Sequence, residues 1–331
     1  MGTRRGGKRS RLKRAVPSAP AGLWMGAAWL CGCALSLGDG PIDAGTEVPA
    51  ERFVEVSSGE QHTCAIREDQ TLACWGLGWT TLTDPSLHYE VPQGKFVNVS
   101  SGGFHACALR EDGNTVCFGS NGYGQSEPPL NEFVLLSSGA WHTCGLEADG
   151  TAVCWGAQDT SGSGFPPSEQ AAPPDQKFST LSSDTDQTCG ITLDGDTICW
   201  GRLSEQHPPP QAVHLFQLDA GYGHVCGLDE DGEATCWGLD DQGESTPPKG
   251  SFSQISAGGE QTCALRADGS VTCWGFRTES PDPPFSAAQP DDLSFVSIST
   301  GGSHVCGLVE DGTLRCWGDN LAGQLGDFFS E

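Results

Sequence analysis

The sequence predicts an all-β protein assembled from seven repeats, each of the length of a propeller blade. Three observations predict it. Seven pairs of cysteines recur at a fixed separation of ten residues. A short apolar strand opening on an aromatic precedes each pair, and an aromatic-Gly pair closes it. No segment shows helical periodicity, while turn residues punctuate the chain throughout.

The cysteine pairs define the inner part of each unit. They are Cys64/Cys74, Cys107/Cys117, Cys144/Cys154, Cys189/Cys199, Cys226/Cys236, Cys263/Cys273 and Cys306/Cys316, fourteen of the 16 cysteines. Between Cys107 and Cys117, a three-residue loop Glu111-Asp112-Gly113 puts Gly113 in the left-handed conformation and pairs the two cysteines directly across a hairpin. Opposed residues of an antiparallel pair approach closely enough for a disulfide. The same register is available at Asp149-Gly150, Asp194-Gly195, Asp231-Gly232, Asp268-Gly269 and Asp311-Gly312; the first repeat has Gln70 in place of the glycine. One disulfide per hairpin is expected. Zinc is the rival use, but its structural sites favour cysteines two to four residues apart. Seven bridges imply an oxidising compartment.

The opening strands are read as Phe53-Val-Glu-Val, Phe96-Val-Asn-Val, Phe133-Val-Leu-Leu, Phe178-Ser-Thr-Leu, Phe216-Gln-Leu, Phe252-Ser-Gln-Ile and Phe295-Val-Ser-Ile. First cysteines are spaced by 43, 37, 45, 37, 37 and 43 residues, the interval of propeller blades. A single unit cannot bury its own apolar faces. Stacking buries them, and closing the array removes the edges.

The N-terminus carries an export pattern. Residues 1–14 hold seven basic side chains and no acid, and an apolar run follows from Ala21 to Leu35. Residues 1–33 are read as a signal peptide. Leu30-Cys31-Gly32-Cys33 resembles the lipobox of bacterial lipoproteins. By that resemblance Cys33 is lipidated, Cys31 leaves with the signal, and Ala34 directs the protein to the outer membrane. Simple secretion after cleavage, or an uncleaved anchor, are the other readings. Residues 34–52, rich in Gly and Pro, read as a flexible tether, and 53–331 as the repeat domain.

Charge excludes one class of partner. The chain has 17 basic and 43 acidic residues, a net of -26. Without residues 1–33, ten bases face 43 acids, a net of −33. Such a surface repels phosphate backbones, so no nucleic-acid partner is expected. A solvated acidic coat is its ordinary use.

The last repeat, from Gly301 to Gly326, reads Gly-Gly-Ser-His-Val-Cys-Gly-Leu-Val-Glu-Asp-Gly-Thr-Leu-Arg-Cys-Trp-Gly-Asp-Asn-Leu-Ala-Gly-Gln-Leu-Gly. It resembles the repeat of the regulator-of-chromosome-condensation family, closest to an exported, cysteine-paired bacterial branch. The resemblance covers residues 53–331 and implies a seven-bladed β-propeller. It also implies that the strand at Phe53 joins the last blade. Phe118 replaces a tryptophan, Asp184 a turn glycine, and Gln187 and Gln261 a histidine. Nuclear members of the family exchange nucleotide on a small GTPase and bind chromatin, partners that an exported acidic chain does not meet. The family also includes an exported β-lactamase inhibitor that binds its target with one propeller face.

His62, His105, His142, His224 and His304 each stand two places before a cysteine. A ring of metal ligands is conceivable, but Gln187 and Gln261 break it; a histidine bonding the turn backbone is the ordinary use. The tryptophans after the second cysteines are read as wedges between blades. Just before the histidine the residue varies, and equivalent turns share one propeller face. Phe104, Trp141 and Tyr222 are therefore candidate binding anchors, with Glu60, Asp186 and Glu260 as an acidic surround. Drift at exposed turns would give the same pattern. The run Asp229-Glu230-Asp231-Gly232-Glu233 lacks the full loop of a calcium site.

No catalytic or cofactor motif is present. The expected function is a non-enzymatic, monomeric binding scaffold, lipid-anchored at the outer membrane or cell surface, presenting one face to a protein partner. The alternatives are an inhibitor of a secreted enzyme, a hydrolase or lyase with its site at the tunnel mouth, and a structural envelope protein.

Overall fold

A computed structural model describes residues 51–77, 89–157, 169–202, 204, 207–211, 213–275, 290 and 293–326. The leader, Cys33 and almost all of the proposed tether lie outside these residues.

The described residues form seven three-stranded antiparallel sheets, one per repeat. Blade 1 comprises β1 (Phe53–Ser58), β2 (His62–Arg67) and β3 (Leu72–Gly76); blade 2, β4 (Asn98–Ser101), β5 (His105–Leu109) and β6 (Thr115–Gly119). Blade 3 comprises β7 (Leu135–Ser138), β8 (His142–Leu146) and β9 (Ala152–Gly156); blade 4, β10 (Phe178–Ser183), β11 (Gln187–Thr192) and β12 (Thr197–Gly201). Blade 5 comprises β13 (Gln217–Ala220), β14 (His224–Leu228) and β15 (Ala234–Gly238); blade 6, β16 (Gln254–Ala257), β17 (Thr262–Leu265) and β18 (Val271–Trp274). Blade 7 comprises β19 (Phe295–Thr300), β20 (His304–Val309) and β21 (Leu314–Gly318). The opening strands adjoin one another all round, β19 lying next to β1.

The hairpins have the expected register, with the two cysteines of every blade directly opposed. All seven pairs are disulfide-bonded: Cys64 to Cys74, Cys107 to Cys117, Cys144 to Cys154, Cys189 to Cys199, Cys226 to Cys236, Cys263 to Cys273, and Cys306 to Cys316. Their Cα atoms are 4.0–4.1 Å apart. The two ends of each bridge differ in burial. The first cysteine, on the middle strand, is wholly buried. The second, on the outer strand, is half-buried at Cys74, Cys117, Cys154, Cys199, Cys236, Cys273 and Cys316.

In blade 2 the loop closes through Gly113 N–H to the Arg110 carbonyl at 3.0 Å, with Gly113 at φ 81°. Blade 1 keeps the same turn with Gln70 at φ 69°, a conformation a non-glycine residue adopts at a cost. In the acidic run, Asp229 Oδ1 accepts the backbone N–H groups of Asp231 and Glu233, so that carboxylate caps its own turn.

Two expectations need correction. The strand at Phe53 does not join the last blade: β1 pairs with β2 of its own blade, Ser57 opposite Cys64. Seven hairpins have seven opening strands, so none is left to exchange. In blade 5 the buried opening residue is Leu215, 5% exposed, whereas Phe216 is 52% exposed. Strand alternation explains the shift, since Leu215 and Leu218 stand where Phe252 and Ile255 stand in blade 6.

Side chains and single backbone bonds close the ring instead. The seventh blade is tied to the first by Phe53 N–H donating to the Gly312 carbonyl at 2.8 Å. Six junctions use a serine hydroxyl that accepts a backbone N–H from the next blade: Ser299 from Ser58, Ser57 from Ser101, Ser100 from Ser138, Ser137 from Ser183, Ser182 from Ala220, and Ser256 from Thr300. At the remaining junction Asp219 accepts from Ala257 at 2.9 Å. Seven junctions thus carry seven clamps.

The apolar core is divided in the same way. Each of seven clusters lies between two neighbouring blades; Cys306, Leu308 and Leu314 of blade 7, for example, pack on Phe53, Val56 and Trp75 of blade 1. The tryptophans are wedges. Trp75, Trp155, Trp200 and Trp274 each donate their indole N–H across a junction, to the carbonyls of Gln324, Gln125, Gln170 and Glu244. Phe118 takes the equivalent place between blades 1 and 2 without that bond.

Candidate functional site

The turns joining the first and second strands of all seven blades surround one funnel of about 940 Å³. Six of the seven turns begin with glycine, where a side chain would meet the neighbouring turn. A Cβ on Gly102 would lie 2.2 Å from the Gly139 carbonyl oxygen, and one on Gly139 would lie 2.0 Å from that of Asp184. The same Cβ positions fall within 2.3–2.6 Å of the blade's own histidine ring at Gly59, Gly102, Gly139, Gly221 and Gly301. Blade 4 has lost both partners of that contact: Asp184 replaces the glycine and Gln187 the histidine.

The bridged cysteines take no part in this site. None of the fourteen lines the funnel. Cys74, Cys316, Cys199, Cys273 and Cys236 pack instead against the apolar clusters between blades, as do Cys117 and Cys154. Their role is to fix the hairpins that carry the turns.

The histidines are junction residues. Nε2 of His105, His142, His224 and His304 lies 2.7–2.8 Å from the hydroxyl of Thr143, Thr188, Thr262 and Thr63 in the next blade. These four imidazoles thus bond a side chain of the next blade, while the expected bond to turn backbone is made by His62, to Gly103, and by His224, to Tyr222. Where the receiving residue is Val225 or Val305, without a hydroxyl, the donor position holds Gln187 or Gln261. His62 faces the alanine position, Ala106. Burial holds the imidazoles neutral, lowering them to about 3 at His62, His105 and His142 and about 4 at His224 and His304. Among the described residues, no group of three or more His, Cys, Asp or Glu is placed to hold a metal ion.

Five of the six residues singled out from the sequence line the funnel: Glu60, Trp141, Asp186, Tyr222 and Glu260. The sixth, Phe104, packs on Trp141 with ring centroids 6.3 Å apart. Tyr222 is an exposed aromatic, at 57%. Asp184 is buried, and burial pushes its carboxyl up to about 7. Its oxygens accept the Asp186 and Gly223 backbone N–H groups at 3.1 Å and the Gln187 amide at 3.2 Å.

Two residues of this face were missed from the sequence. Arg202 forms an ion pair with Asp186, so that acid is compensated. Tyr123 meets Trp141 edge-on at 4.9 Å, extending the aromatic patch. A signal existed for the first. The residue after the aromatic-Gly pair is held on this face by its N–H, which bonds the turn carbonyl: Leu77 to Gln61, Ser120 to Phe104, Ala157 to Trp141, Arg202 to Asp186, Leu239 to Gly223 and Asp319 to Ser303.

Residues 53–78, 96–125, 133–162, 217–244, 252–276 and 295–324, together half of the chain, match the regulator of chromosome condensation (RCC1) repeat. The chain belongs to the RCC1-repeat family. The unmatched repeat is the fourth, in which Asp184 and Gln187 replace the usual glycine and histidine, although its blade is complete. No curated protein sequence matches this RCC1-repeat chain. Among solved structures, the ectodomain of the receptor kinase CR4 from Physcomitrella patens superposes with a TM-score of 0.64 at 22% identity, over 81% of this chain and 74% of that one. The CRINKLY WD40 ectodomain of the Arabidopsis thaliana receptor kinase ACR4 gives 0.63 at 21%, over 83% and 98%. Human WBSCR16 gives 0.58 at 15%, over 78% and 88%. At these identities the likeness concerns the fold. RCC1-like propellers are commonly protein-interaction scaffolds. The seven disulfides point to an oxidising, extracellular environment. Among the described residues no helix is long and apolar enough to cross a membrane.

Proposed function

We propose that this protein is an exported, non-enzymatic binding module that presents its funnel face to a protein partner. The observation that carries the reading is the gathering of Trp141, Tyr222, Glu60, Asp186 and Glu260 around one opening, with Phe104 and Tyr123 packed on Trp141. Aromatics within a polar rim have the composition of a protein-binding surface. The buried acid of the funnel supports the same reading against a hydrolase or lyase. Asp184 spends its carboxylate on two backbone N–H groups and an amide within the turns, a structural use.

Residues 1–33 are the proposed signal, Cys33 the proposed lipidated residue, and 34–52 the proposed tether of a monomeric propeller in the cell envelope. The export pattern of the leader and the closed disulfides support this placement.

The test compares the two faces. A photo-crosslinking residue is placed at Tyr222 or at the exposed Val134, which immediately precedes β7 at the end away from the funnel, in protein made by its native cells. One defined adduct from position 222, abolished by replacing Trp141 and Phe104 with Ala, is the expected result. Equal adducts from both positions, or an adduct indifferent to the aromatic substitutions, would overturn the assignment of the face.

A further inference from the structure

Three blade junctions carry a further tie, made by the third residue of the opening segment. Between blades 5 and 6, Gln217 bonds both backbone groups of one residue. Its Nε2 donates to the Ile255 carbonyl at 3.2 Å, and its Oε1 accepts the Ile255 N–H at 3.2 Å. Gln254 does the same to Ile298 between blades 6 and 7, at 2.9 and 3.0 Å. The tie needs one donor and one acceptor, which a side-chain amide supplies together.

Glu55 holds the same place in blade 1, two residues after Phe53 as Gln254 is two after Phe252. Its Oε1 accepts the Val99 N–H of blade 2 at 2.9 Å, so the acceptor half of the tie is made as in the glutamines. The same oxygen accepts from Asn98 Nδ2 at 2.7 Å. The donor half requires a proton on the carboxyl, because an ionised carboxylate only accepts.

The surroundings favour that proton. The strands packed against β1 are β2, β4, β19 and β20. Neither β4 nor β19 holds an ionisable side chain. β2 brings His62 and Arg67, and β20 brings His304. Burial keeps both imidazoles neutral, and Arg67 donates to Glu51 and to the Leu72 carbonyl. Burial accordingly pushes the Glu55 carboxyl up to about 7, against the bonds from Val99 and Asn98 that pull it down. The residue is half-buried, so its proton exchanges with solvent.

We infer that Glu55 is a proton-operated latch between blades 1 and 2: as the neutral acid it donates to the Val99 carbonyl and completes the two-point tie that glutamine makes elsewhere, and release of that proton to solvent opens the donor half. The ionised form then sets a negative oxygen against a carbonyl. The strands joined by the latch, β1 and β4, lead into the turns that carry Glu60 and Phe104. Those two turns of the candidate face are therefore held most firmly under acidic conditions.

E55Q fixes the latch closed at every pH, with the amide already present at two other junctions. Wild type and variant, both oxidised, are unfolded in denaturant from pH 4 to pH 9. Asp184 and the buried histidines titrate in both proteins and drop out of the difference. A carboxyl held protonated by the fold contributes stability that is complete below its unfolded value of 4.5 and is lost as pH rises to about 7. The expected result is equal stability near pH 4. Between pH 5 and 6.5 the variant should gain in folding equilibrium about tenfold per pH unit, or 1.4 kcal/mol, and the gain should level off above pH 7. Carbon-13 resonance of the Glu55 carboxyl in the wild-type protein gives a second reading that needs no variant, with an expected midpoint near 7. A midpoint in the ordinary carboxylate range, a stability difference that does not change with pH, or a variant less stable throughout overturns the latch.

Discussion

Thr143→Val tests the junction chemistry in isolation. The substitution keeps the shape of the side chain and deletes one hydroxyl. His105 Nε2 loses a partner 2.7 Å away, at a site where both residues are fully buried. Leaving a buried polar group unsatisfied costs about 1–3 kcal/mol, so a loss of about 2 kcal/mol is expected. For a domain of this size that lowers the melting temperature by roughly 4–8 °C. The chain also contains its own remedy. At two junctions the pair is Gln–Val instead of His–Thr, so H105Q/T143V copies an arrangement already present between blades 4 and 5 and between blades 6 and 7. The double variant should recover at least about 1 kcal/mol relative to the sum of the two single changes. Denaturant unfolding of the oxidised protein, followed by circular dichroism, measures all three variants. A Thr143→Val protein within about 0.5 kcal/mol of wild type, or a double variant no better than additive, would refute the coupling.

Three further outcomes are expected. Acidification should destabilise the fold between pH 6.5 and about 4: the unfolded histidines take up protons there, while the five buried imidazoles, lowered to about 3 or 4, do not. Glu55 and Asp184, both pushed up to about 7 by burial, act with the opposite sign and lose stability as pH rises from their unfolded values towards 7; the histidine effect is therefore isolated by H105Q/T143V, whose unfolding free energy should vary less steeply near pH 5 by about one proton, or 1.4 kcal/mol per pH unit. Gln70→Gly relieves the one hairpin loop with a non-glycine residue at positive φ and should stabilise by about 0.5–1 kcal/mol in the same unfolding assay. Replacing Cys144 and Cys154 together by Ala opens one blade's bridge and should cost about 3 kcal/mol on the chain-entropy account, read as a shift of the denaturant midpoint.

The hairpins were legible because their information is local. Eleven residues contain both cysteines and, in six repeats, the Asp-Gly turn, and two-residue alternation fixes the register. That is why even the least typical blade, the fourth, closes Cys189 to Cys199 as its spacing requires. Phe216 shows the limit of that reading: an aromatic beside a leucine leaves two registers open, and only packing against blade 4 selects Leu215. Ring closure was hidden for a different reason. The serines of the opening strands are plain in the sequence, but a serine is short and common, and its partner lies 38–46 residues away in the next blade. The matched change of His–Thr to Gln–Val is also written in the chain, as a correlation between neighbouring repeats. On the candidate face, the alignment of turns gathered five residues around one opening. It did not reach Arg202 or Tyr123, which lie outside those turns.

The measurement that bears most directly on the account is the intact mass of the native protein from its cell envelope, before and after reduction. The account predicts a chain beginning at an acylated Cys33 that gains about fourteen hydrogens, two for each of seven closed bridges. A chain retaining residues 1–33 with free thiols would contradict it, removing both the oxidising compartment and the exported binding face that depends on it.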